Sequence, residues 1–139
     1  MAEKFGAKQP LHTNFERALT KLETFLATPA TDERDRAGVI QAFEFTFEQC
    51  WKALQKLAHL EGAHAGTPRE ALKVGIARGI LAPKDEDTWI RMLQDRNLTS
   101  HLYQESLAYE VFDRVKQQHA PLLRAALTKL ALLIAGNQL

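Results

Sequence analysis

Between Ile40 and Ala58 the chain carries apolar side chains at Ile40, Phe43, Phe47, Cys50, Trp51, Leu54, Leu57 and Ala58. Three- and four-residue spacing of this kind marks one face of a helix of roughly five turns, and no Gly or Pro interrupts it. A helix that long must bury its apolar stripe against other elements of the same kind or against a sheet. Composition decides which. Leu and Ala number 20 each against 4 Val and 5 Ile, an excess of helix formers over β-branched residues that predicts an all-α protein.

The partners of this central helix are legible in the same way. Thr13 followed by Glu16 has capping-box spacing, and Phe15, Ala18, Leu19, Leu22 and Leu26 repeat at helical intervals up to Pro29. The segment TDERD places the start of the long helix near Thr31 or Asp32, and Gly62 its end. Thr67, Pro68 and Glu70 combine an N-cap, a proline at the first helical position and a capping box, with Gly79 closing a short helix. Asp85, Glu86 and Asp87 open a fourth helix through Trp89, Met92 and Leu93. A fifth segment carries Leu107, Val111 and Val115, and Pro121 predicts a kink or break before the apolar run from Leu122 to Ile134. With no repeat or long linker, the expected fold is one domain over residues 1–139, with a core from about 12 to 135: an antiparallel four-helix bundle plus a short accessory helix.

Charge and cysteine narrow the function. Eighteen Lys and Arg against seventeen Asp and Glu leave a net charge of +1, too balanced for a broad basic surface that grips DNA or RNA, so any RNA contact must be local. The single cysteine, Cys50, sits in an apolar stripe and reads as a buried hydrophobe rather than a nucleophile. The N-terminal MAEKFGAKQP lacks the apolar core of a signal peptide, and the uncharged run Leu130–Leu139 is too short to span a bilayer. A cytoplasmic protein with no membrane contact is expected. His12, His59, His64 and His119 show no metal-ligand spacing, so neither a metal site nor a cofactor is expected.

The densest functional vocabulary is the string Asp95, Arg96, Asn97, Leu98, Thr99, Ser100, His101, Leu102, Tyr103. On an unbroken helix Arg96 and His101 lie about 140° apart and cannot address one phosphate. Either the helix breaks between them, as Asn97 and a Thr99 or Ser100 cap permit, or a second subunit completes the site. If the two converge, the pair suits RNA cleavage without metal. His101 moves a proton to or from a ribose hydroxyl or leaving oxygen, and Arg96 neutralises charge on the phosphate. The plain alternative is a helix-end arginine paired with an acid and a histidine capping carbonyls.

The strings FEFTFEQCWKALQ (43–55), TPREALK (67–73) and MLQDRNLTSHLY (92–103) together resemble the nucleotidyltransferase substrate-binding protein family of the HEPN superfamily. The resemblance runs from about Thr13 to Val115. Its characteristic motif, an Arg and a His a few residues apart, is matched by Arg96, four residues, His101, one residue and Tyr103, the form seen in toxins paired with a minimal nucleotidyltransferase antitoxin. The resemblance implies a HEPN-like bundle that forms a homodimer, cleaves RNA with Arg96 and His101 as catalytic residues, and is neutralised by AMP transfer to Tyr103. The older family name implies an alternative, a non-catalytic subunit that presents substrate to a nucleotidyltransferase.

Four further residues carry expectations. Asn97 either contacts a phosphate oxygen or caps the helix. Asp95 is expected to fix Arg96, and Glu44 or Glu48 to reach the Arg96 region from the central helix. Phe45 sits about 160° from Phe47, off the buried stripe, and so marks either an interface or a surface that another segment of the chain covers. Trp51 and Trp89 have core spacing.

Overall fold

A computed structural model describes residues 9–98 and 105–137. Helix α1 spans Thr13–Leu26, α2 Glu33–Leu60, α3 Pro68–Ala77, α4 Glu86–Leu98, α5 Glu105–Arg114 and α6 Ala120–Asn137. A 3₁₀ turn, Pro83–Asp85, leads into α4, and a π turn, Val115–His119, joins α5 to α6. Among the described residues there is no strand. Helices α1, α2, α4 and the α5–α6 run form the bundle, with α3 as the accessory helix.

The central stripe fills the core as its spacing predicts. Phe43, Phe47, Cys50, Leu54 and Leu57 are at most 1% exposed, and Phe15, Leu19 and Leu22 of α1 close over them. The short connection after Leu26 sends α2 back along α1, so Gly38 lies beside Phe25 and Ala42 beside Ala18. Asp32 caps α2 by accepting from the Asp35 N–H at 2.8 Å, and Gly62 beyond its end adopts φ +79°. Thr67 caps α3 through the Glu70 N–H, while the Glu70 carboxylate accepts from the Gly66 N–H, one residue before the cap. Gly79, at φ +76°, turns the chain after α3.

One expectation fails locally and another is met in a different form. Thr13 is not a cap: His12 holds that position without a side-chain cap bond, and α1 starts at Thr13 itself. Pro121 does not break the helix, and the irregularity expected there takes the form of the π turn Val115–His119 just before it. The chain widens one turn earlier, with the Ala120 N–H donating to the Val115 carbonyl five residues back. Helix continues through this wider turn and past the proline, from Glu105 to Gly136. This 32-residue run is long and apolar enough, by length and composition, to cross a bilayer, in contrast to the short run read from the sequence. In this fold Leu123, Leu127 and Leu130 are core side chains.

Candidate functional site

Arg96 stands in the last turn of α4, and its side chain is 32% exposed. The guanidinium reaches across to α2, with Nη1 3.5 Å from Glu44 Oε2 and Nη2 3.5 Å from Glu48 Oε1. One of these acids was expected to reach Arg96 and both do, four residues apart on one face of α2. Glu48 is engaged further: it accepts from the Trp51 indole N–H at 3.2 Å and lies 3.5 Å from Lys52 Nζ. Burial pushes the Glu48 carboxyl up, but Trp51, Lys52 and Arg96 together hold it below the ordinary carboxylate range. Trp89 is core, as expected, whereas Trp51 is only part-buried and turns its indole edge to this seam.

Asp95 does not fix Arg96. Adjacent residues on a helix point about 100° apart, and Asp95 turns inward, fully buried. It accepts two hydrogen bonds from Arg114, Nε to Oδ2 and Nη2 to Oδ1, both 2.8 Å. His119 Nε2 approaches Oδ2 at 2.7 Å. Burial opposes the charged form of Asp95, yet the bonds from His119 and Arg114 hold its carboxyl below the usual value. The same contact holds Arg114 above its ordinary value. An ionised carboxylate only accepts, so His119 Nε2 carries the proton of their bond, while Nδ1 is buried without a partner among the described residues. The imidazole stacks on Phe43, ring centroids 5.4 Å apart.

This network clamps the last turn of α4 to the end of α5 and the π turn, one residue from Arg96. Sequence reading missed it, although Val111, Val115 and His119 recur every four residues and so share a buried stripe.

Asn97 is exposed on the same turn of α4. His101 and Tyr103 lie outside the described residues. Cys50 is sealed in the core and burial drives its thiol pKa up, so it is an inert side chain here.

Fold and seam together define a small helical-bundle protein that presents one arginine, braced by two carboxylates, at the end of a helix. The chain belongs to the family described as nucleotidyltransferase substrate binding protein like, whose pattern matches residues 11–132. It is similar to a crystal structure of a protein from Thermus thermophilus, at 33% identity over 84% of this chain and 98% of that one, with a TM-score of 0.76. No curated protein matches it.

Proposed function

We propose that this protein is a metal-independent ribonuclease toxin that works as a cytoplasmic homodimer and is silenced by a minimal nucleotidyltransferase. The observation that carries the reading is the position of Arg96: part-exposed, braced by Glu44 and Glu48, and followed within seven residues by His101 and Tyr103. Five residues of chain keep the histidine backbone within about 18 Å of that of Arg96 even at full extension.

In this reading His101 takes the proton from a ribose 2′-hydroxyl as the oxygen attacks the adjacent phosphorus. The 5′-oxygen takes a proton from water as it leaves, a 2′,3′-cyclic phosphate remains, and His101 then gives up its proton to the hydroxide so formed. Arg96 offsets the charge that accumulates on the phosphoryl oxygens. Glu44 and Glu48 set the direction of the guanidinium. Silencing is the partner's reaction. The Tyr103 phenolic oxygen attacks the α-phosphorus of ATP, AMP is joined to it, and pyrophosphate and a proton depart. An anionic nucleotide two residues from His101 then blocks the site and repels RNA phosphates.

A second reading, a non-catalytic subunit that presents substrate to a nucleotidyltransferase, is favoured by the family's description and by the two carboxylates that balance the charge of Arg96. One comparison separates the two. Partner-free protein is incubated with RNA beside the Arg96→Ala and His101→Ala variants. Cleavage by the wild type alone supports the toxin reading, and RNA left equally intact by all three overturns it. Co-expression with the partner is then expected to add the mass of one AMP unit, lost in Tyr103→Phe.

A further inference from the structure

A cleft of about 300 Å³ lies between α2 and α5 and shares a wall with the Arg96 seam. Glu44, the carboxylate 3.5 Å from Arg96, is that wall. Ile40 and Ala108 give the cleft an apolar side, while Arg36, Gln41 and Glu105 line it with polar groups. Arg36 lies eight residues from Glu44, about 12 Å along the helix, so an occupant held by Arg36 sits at one end of the cleft and Arg96 stands at the other.

Arg36 is the unusual group. Its side chain is 8% exposed, and its guanidinium stacks 3.8 Å from the centroid of the Tyr109 ring. Its one ionic contact among the described residues is Glu105 Oε2 at 3.5 Å, the same separation at which Arg96 meets Glu44 and Glu48. A guanidinium has five N–H donors in a fixed fork, and no Arg36 nitrogen is among the buried atoms that lack a partner, so its free donors open to the cleft. The fork fits a group with two adjacent acceptors.

A phosphate is the wrong acceptor here, because Glu33, Glu44 and Glu105 line the same cleft and repel an anion. Carboxylates ask for N–H donors instead. The cleft therefore fits an uncharged planar group with paired acceptors on one edge, donors on another and apolar faces. Among the nucleobases guanine answers that description: O6 and N7 match an arginine fork, and N1–H and the N2 amine donate to a carboxylate. Adenine puts an amine where guanine has O6 and so sets a donor against the Arg36 donors.

We infer that the α2–α5 cleft is a base-recognition subsite that takes a guanine of single-stranded RNA at its Arg36 end, about 12 Å along α2 from the Arg96 seam, an assignment that rests on the ribonuclease reading. The test uses the His101→Ala protein and oligouridine carrying one central guanosine, replaced in turn by adenosine, inosine (no N2 amine) or 7-deazaguanosine (no N7). The guanosine oligomer is expected to bind tightest, with roughly a tenfold loss for each replacement. Adding Arg36→Lys, which keeps the buried charge but removes the fork, abolishes the 7-deazaguanosine penalty. Adding Glu105→Gln, at an exposed side chain, narrows the gap between guanosine and inosine.

Equal affinity for the guanosine and adenosine oligomers overturns the subsite, as does a 7-deazaguanosine penalty that survives Arg36→Lys. The wild-type cleavage pattern keeps the two claims apart. Cutting without regard to guanosine sinks the subsite and leaves the ribonuclease standing. Guanosine-selective binding by a protein that cuts no RNA supports the subsite and sinks the ribonuclease.

Discussion

Asp95 and Arg96 are neighbours with opposite fates. The carboxylate is buried and bonded on both oxygens, while the guanidinium is part-exposed and held by acids from another helix. Replacing a fully hydrogen-bonded buried carboxylate strands its partners, and Asp95→Ala is expected to cost about 3–5 kcal/mol of stability, read by denaturant unfolding. The pH dependence follows from the depressed carboxyl. Its contribution is fully present above the ordinary carboxylate value of about 4 and is lost as pH falls through the lower folded value. Asp95→Asn therefore flattens the loss of stability on acidification below about pH 4. An acid limb as steep in the variant as in the wild type shows that the clamp contributes nothing to it. The misreading of Asp95 has a plain cause: proximity in sequence ranked Arg96 as its partner, whereas Arg114 and His119 reach it only through the fold.

At the scale of the elements, one substitution has opposite signs in two helices. A Cβ at Gly75 meets Leu81 Cγ at 2.9 Å and Leu54 Cδ1 at 3.1 Å, and both leucines are locked in the core. Overpacking of this kind costs about 1–3 kcal/mol, more than the roughly 1 kcal/mol that alanine gains over glycine in a helix. Gly75→Ala is expected to lower the melting temperature. A Cβ at Gly38 in α2 meets nothing closer than Phe25 Cε2 at 4.0 Å. Gly38→Ala is expected to raise stability by about 0.5–1 kcal/mol, because the propensity gain meets no clash. Thermal melts of the two variants check both signs. Sequence shows two glycines inside helical patterns and gives no means of telling them apart, since Leu81 approaches Gly75 only through the Gly79 turn. The same gap explains Pro121. Its effect on a helix depends on the turn before it, and nothing local announces a π turn at Val115–His119.

For the whole molecule, periodicity delivered the helices and the core because burial follows spacing along one chain. The seam around Arg96 was half legible: Glu44 and Glu48 flank the central stripe and so had to face some neighbour, and α4 supplied it. Surface aromatics were harder, because sequence left open whether another segment covers Phe45. Among the described residues none does: Phe45 is 56% exposed and Phe25 40% exposed, and the two rings flank one hollow with Gly38 and Gln41. The proposed homodimer gives this surface its use. In such a dimer a two-fold axis would set the same patch against itself, and each exposed ring is expected to meet the hollow of the other copy. Phe45 is absent from the buried core, so Phe45→Ser leaves the fold of each subunit intact and removes apolar area only from the contact. Sedimentation equilibrium of the wild type is expected to give a dimer, and of Phe45→Ser a species shifted toward monomer with an unchanged helical spectrum. If the wild type sediments as a monomer, or if Phe45→Ser remains as dimeric as the wild type, the two copies do not meet through this face.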